Sequence, residues 1–295
     1  MFIRYLKLRI VAAVTSAVAA AAVVVGAGQA AAAPQSLGPG AEFVNMGDSY
    51  SAANGVLPLT PNSYGPCLQS ENDPAHLIAR ANGFRLNDVS CGGATTGNLF
   101  VPQFPGLAPQ LAGLGPNTRL VTITIGVNDE MVFSATQQKC AALGATTGFT
   151  GSPCTNTLGD SVVDMIKNQT YPNLVNAYRA IRAHAPHAKV AALNYPWIMP
   201  NRVQPCPQYP IAPGDAPFIY RVQQTLNDAI ARAAKQFGFT LVDVAAASVG
   251  HDACQPIGIR WIEPLTFDVQ FMPVHPNAFG AREIAAVTSR TVGLK

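Results

Sequence analysis

Apolar and polar positions along the chain fall into five short apolar runs separated by longer stretches with helical spacing. The runs at 42–46, 85–90, 119–125, 189–194 and 240–244 are bounded by turn residues and predict strands. Between them, Asp73 can cap a helix that starts at Pro74 and carries Leu77 and Ile78 to Gly83. Leu174, Tyr178 and Ile181 stand at helical spacing before Pro186, with Pro172 implying a kink or two helices. Phe218, Val222, Leu226 and Ile230 make an i, i+4 stripe, and Asn277 can open a last helix through Ile284. Strand and helix alternate, which predicts an α/β fold with a parallel sheet covered on both faces. Sites are then expected where the chain leaves the carboxyl ends of its strands.

Composition agrees with a folded body. Of 295 residues, 48% are apolar and only 12% charged, too hydrophobic for a disordered chain. No internal repeat and no Ser/Gly/Pro linker divides residues 34–295, so one domain is the simplest expectation. Residues 1–33 have a basic start, an apolar stretch from Ile10 and an Ala-x-Ala site before Pro34, the pattern of a secretory signal peptide. A retained membrane anchor is the rival, but the stretch is mostly Ala, with Thr15, Ser16 and Gln29 interrupting it. Without Arg4, Lys7 and Arg9 of the leader, the 19 basic and 16 acidic residues come into balance. That removes any electrostatic footprint for nucleic acid or an anionic membrane surface. Cys67, Cys91, Cys140, Cys154, Cys206 and Cys254 all lie beyond the leader. An even number in an exported chain predicts disulfides, whereas the close spacing of a zinc site is absent.

The predicted strand ends carry the chemistry. After the first comes Gly47-Asp48-Ser49-Tyr50-Ser51, after the second Ser90-Cys91-Gly92-Gly93-Ala94-Thr95-Thr96, and after the third Gly126-Val127-Asn128-Asp129. Near the C-terminus stands Val274-His275-Pro276-Asn277. Each block alone reads as turn or cap chemistry. Together, a strand-end serine, paired glycines, an amide side chain and a histidine are the parts of an acyl-transfer site.

In these four blocks and their order the sequence resembles the SGNH (GDSL-like) hydrolases. It is most similar to the secreted actinobacterial lipases and esterases among them, which carry three disulfides and a segment like Gly250-His251-Asp252-Ala253-Cys254. The resemblance implies a flavodoxin-like three-layer α/β/α sandwich with five parallel strands in order 2-1-3-4-5. It also implies the pairs Cys67–Cys91, Cys140–Cys154 and Cys206–Cys254. Carried over residue by residue, Ser49 is the expected nucleophile and His275 the general base, with the backbone N–H groups of Ser49 and Gly93 and the side-chain amide of Asn128 as oxyanion hole. Gly93 is preferred to Gly92 because it aligns with the single glycine of the family's second block.

Two departures stand out. Val127 replaces the second glycine of the family's Gly-Gly-Asn-Asp, which adds bulk beside the oxyanion site. Met272 stands three residues before the histidine, where the family usually has Asp. The expectation is a Ser–His dyad in which the Met272 backbone carbonyl orients His275; the alternative is a triad completed by Asp268 or Asp252. Other candidates read as structural. His251 and Asp252 belong to a loop pinned by Cys254, Asp243 to a strand end, and His76, His184 and His187 to helix surfaces. The run 195–200 reads as core cover more than pocket wall.

The expectation is a secreted, monomeric serine esterase or lipase acting on fatty acyl esters without cofactor or metal. The rivals are a carbohydrate O-acetylesterase of the cell envelope and a non-catalytic envelope-binding protein.

Overall fold

Strand β1 (Glu42–Gly47) is buried at every position after Glu42, and β3 (Thr118–Thr124) at all but Arg119. Strands without a polar face must be covered on both sides. In the computed structural model, which describes residues 37–294 except Asn62 and Tyr64, they occupy the centre of a five-stranded parallel sheet. The less buried β2 (Arg85–Asp88) and β5 (Thr240–Val242) form its edges, and β4 (Lys189–Leu193) completes the order β2-β1-β3-β4-β5. All pairings are parallel. The expected leader, 1–33, lies outside the described residues.

The period of two along each strand sorts the core into two layers. Phe43 and Leu120 pair in register and pack with Ile78 of α1 (Pro74–Asn82) and Ala285 of α8 (Ala278–Val292). Their neighbours Val44 and Val121 face the opposite layer, with Leu174 of α5 (Tyr171–His184) and Leu226 of α6 (Ala216–Gln236). Both predicted caps form: Asp73 accepts from the His76 N–H, and Asn277 from the Gly280 N–H. Between them run α2 (Val132–Thr146), α3 (Pro153–Leu158) and α4 (Ser161–Met165), and the short α7 (Val244–Ala247) follows β5 with Asp243 as its cap.

The interruption expected at Pro172 takes the form of a π turn over Ile166–Thr170, which separates α4 from α5 and leaves Pro172 in the first turn of α5. Among the described residues no helix is long and apolar enough to cross a membrane.

Three disulfides join Cys67 to Cys91, Cys140 to Cys154 and Cys206 to Cys254, closing separations of 24, 14 and 48 residues. Chain entropy assigns each roughly 3–4 kcal/mol. Loss of one such bond corresponds to a fall in melting temperature of about 5–15 °C in a domain of this size. Melting with and without dithiothreitol should show at least that drop, and an unchanged melting temperature would remove the stabilising role.

Candidate active site

Ser49 stands two residues beyond the end of β1, in a turn drawn tight by the Ala52 N–H donating to the Asp48 carbonyl and the Asn54 N–H donating to that of Ser49. His275 reaches the same point from a loop 226 residues away, and its Nε2 lies 2.7 Å from Ser49 Oγ. The Nδ1 of His275 lies 2.8 Å from the Pro273 carbonyl oxygen. A carbonyl oxygen only accepts, so Nδ1 carries the proton and the Nε2 lone pair faces the serine hydroxyl.

That contact corrects the sequence expectation. The orienting carbonyl belongs to Pro273, two residues before the histidine; the Met272 carbonyl instead accepts from Gln270 Nε2 at 3.0 Å. Val274 explains the shift. Its φ of +60° is left-handed, a conformation rarely adopted by a β-branched residue, and it folds the segment so tightly that the nearer carbonyl comes under the ring. The turn is held from both sides: Tyr50 Oη donates to the Val274 carbonyl at 2.7 Å, and the Val274 N–H donates to the Glu263 carbonyl. Glu263 is itself fixed by a buried ion pair with Arg260 and by Asn277 Nδ2.

Neither candidate third carboxylate approaches His275. Asp252 accepts from the Cys254 N–H and from Gln255 Nε2, and Asp268 lines a separate groove with Ile257 and Phe271. Asp252→Asn and Asp268→Asn are therefore expected to retain activity within about tenfold, whereas loss of a true triad carboxylate costs about ten-thousandfold. Kinetics on variants with native circular dichroism would measure this, and a thousandfold loss in either would overturn the dyad.

The second and third blocks meet the serine turn from the ends of β2 and β3. Gly92 has its N–H committed to the Cys67 carbonyl at 3.0 Å, and a side chain there would collide with the Asn54 amide. Gly93 is exposed, left-handed at φ +76°, and its N–H has no acceptor among the described residues; the same holds for the Ser49 N–H. One amide hydrogen of Asn128 goes to the Ala94 carbonyl at 3.0 Å, leaving the other uncommitted. Asp129 reinforces this tie by accepting from the Thr96 N–H and hydroxyl.

Two tyrosines, not singled out in the sequence, lock these loops together. Tyr195 Oη donates to Asp48 Oδ2 and accepts from the Val127 N–H at 3.1 Å, joining the serine turn to the Asn128 loop. The Tyr50 ring packs against both Tyr195 and His275. Tyr50 adjoins the Gly-Asp-Ser block, but its partner lies 224 residues away, and no local pattern reveals that. Of the run 195–200, Tyr195, Ile198 and Met199 are buried in the core, and Trp197 stacks on Tyr220 away from the serine.

Burial sets the charges. It lowers His275 below its ordinary value, a tendency opposed by the Pro273 carbonyl, so the imidazole is neutral at pH 7. Asp48 is pushed up to about 7 by desolvation, against the hydrogen bonds from Tyr195 and the Tyr50 N–H. Asp129 rises to about 6, again chiefly through burial. Beside Ser49 and His275 opens a cavity of about 530 Å³ walled by Val127, Phe133, Ala141, Leu265 and Met272, with Ser134 and Gln137 as polar points. α2, which supplies much of this wall, has no anticipated counterpart in the sequence reading.

The GDSL-like Lipase/Acylhydrolase family model matches residues 46–283. Lipase 2 of Streptomyces coelicolor is 46% identical over 288 residues, 97% of either chain. Among solved structures, the extracellular lipase of Streptomyces rimosus superposes with a TM-score of 0.71 at 28% identity, covering 85% of this chain and 98% of its own. Phospholipase A1 of Streptomyces albidoflavus gives 0.70 at 25% identity, covering 84% and 99%. Sheet order, the four blocks and these near-full-length likenesses agree, and the chain belongs to the GDSL-like, or SGNH, family of lipases and acylhydrolases, as a carboxylic ester hydrolase.

Proposed function

We propose that this ester hydrolase is exported and cleaves medium to long acyl esters through an acyl-enzyme on Ser49. The observation that carries the reading is the 2.7 Å contact between Ser49 Oγ and the unprotonated nitrogen of His275 at the edge of the apolar cavity. In the first half-reaction His275 Nε2 takes the hydroxyl proton as Oγ bonds to the ester carbonyl carbon, and the carbonyl electron pair moves onto oxygen. The free N–H groups of Ser49 and Gly93 and the uncommitted Asn128 amide hydrogen meet that charge. The imidazolium then returns the proton to the departing alcohol, and water repeats the cycle on the acyl-enzyme. Every group in these steps belongs to the chain. Export is supported by the leader pattern and by three disulfides, which persist in oxidising compartments.

The cavity favours acyl chains over acetyl groups. A volume of about 530 Å³ with an apolar wall suits a chain of several methylenes, whereas an acetyl group leaves most of it unfilled. Each buried methylene can contribute about 0.8 kcal/mol, close to fourfold in kcat/KM while the chain stays in the cavity. A series of nitrophenyl esters from acetate to palmitate should therefore show kcat/KM rising beyond acetate. Preference for acetate alone would favour a carbohydrate O-acetylesterase.

A further inference from the structure

Two carboxylates and an imidazole converge away from the serine, where α1 begins and β2 ends. Asp73 has its Oδ1 engaged by the His76 N–H at 2.8 Å. Asp88 has its Oδ1 engaged by the Ser90 N–H, the Ser90 hydroxyl and Asn45 Nδ2 at 2.7–3.0 Å. Each carboxylate is thus anchored through one oxygen. The two remaining Oδ2 atoms face the same His76 Nδ1, at 2.7 Å from Asp73 and 3.8 Å from Asp88. One ring nitrogen offers one proton, and Asp73 takes it. Asp88 Oδ2 is left without a hydrogen-bond partner although its side chain is only 7% exposed. A buried carboxylate oxygen with no donor is costly, and what the site lacks is positive charge.

We propose that Asp73, His76 and Asp88 bind a divalent transition cation of the zinc or manganese class. The three ligand atoms lie within 4.8 Å of one another, close enough for one ion to gather them with small side-chain adjustments. An imidazole nitrogen with two carboxylate oxygens suits a borderline cation, and three protein donors fall short of the six to eight oxygens calcium takes. The anchoring bonds to each Oδ1 supply the outer-shell support that holds metal ligands in place. His76, with 24% of its side chain exposed, leaves an entry path. Binding needs the Nδ1 lone pair, so the proton there leaves to solvent while Nε2 keeps or takes up the ring's one N–H, and the cation sits between the oxygens that compete for Nδ1. Asp88 lies five residues before Gly93, so the ion ties the start of α1 to the strand that delivers the glycine loop. Its role is structural, since no step at Ser49 passes through it.

The test is a zinc titration of the mature chain after EDTA treatment and desalting, followed by calorimetry and thermal melting. One ion per chain is expected, with the melting temperature up by roughly 5 °C or more at a hundredfold excess over Kd. His76→Gln, at a partly exposed position that leaves both Oδ1 anchors in place, should abolish the response, as should Asp88→Asn. His275→Ala should keep it, which separates this site from zinc captured at the active centre. No binding, binding that survives His76→Gln in a folded protein, or binding lost with His275→Ala would each overturn the proposal. A stripped protein stabilised only by lowering the pH, with no response to zinc, would show that a shared proton fills the gap and would overturn it equally.

Discussion

Ser49→Ala is expected to bring ester turnover down to background, and His275→Ala to do the same. The hydroxyl is inert at neutral pH until a base removes its proton, and the only base within reach of Ser49 Oγ among the described residues is His275 Nε2. Nucleophile and base act as a unit, so either single change should cost on the order of a millionfold in kcat, and the double variant should be hardly worse. Because burial holds His275 below its ordinary value, the acidic limb of kcat/KM should fall below pH 6.5. The sign follows from the chemistry: protonated imidazole cannot accept, so rate is lost as pH drops through the histidine's titration. Nitrophenyl ester kinetics, with fluorophosphonate labelling of parent and Ser49→Ala, would measure both. Labelling that survives the Ser49 change, or a His275→Ala variant within a thousandfold of the parent, would remove these residues from their proposed roles.

The second large effect belongs to Asn128. Two of the three proposed oxyanion donors are backbone groups that substitution cannot delete, so the third is tested through this side chain. Asn128→Ala should lower kcat about a hundred- to a thousandfold and leave KM nearly unchanged, since the uncommitted amide hydrogen meets full charge only in the tetrahedral state. The same change cuts the tie to the Ala94 carbonyl, so stability must be followed in parallel. A loss expressed in KM, or one matched by a collapse in melting temperature, would point to a structural amide.

Strands and four helices, α1, α5, α6 and α8, were legible because their signals are local. The stripe Phe218, Val222, Leu226, Ile230 is buried along one face of α6 at every position, and the strand runs differ from the observed strands only at their ends. α2 was not legible, because Gln137, Gln138 and Lys139 interrupt its apolar spacing and part of its face lines the cavity. The serine and histidine could be picked out by type and order. The acceptor for His275 could not: every residue has a carbonyl, and which one lies under the ring depends on the left-handed turn at Val274. Tyr195 and Asp88 were missed for a related reason. Their partners come from other elements, and only the folded sheet brings them together.

The sequence separation of 226 between Ser49 and His275 also bears on biosynthesis. A chain whose C-terminal segment is not yet made holds Ser49 without the His275 imidazole beside it, and a cavity without its Leu265 to Met272 wall. On the proposed mechanism, hydrolysis therefore waits until the C-terminal segment has been made and has docked against the serine turn.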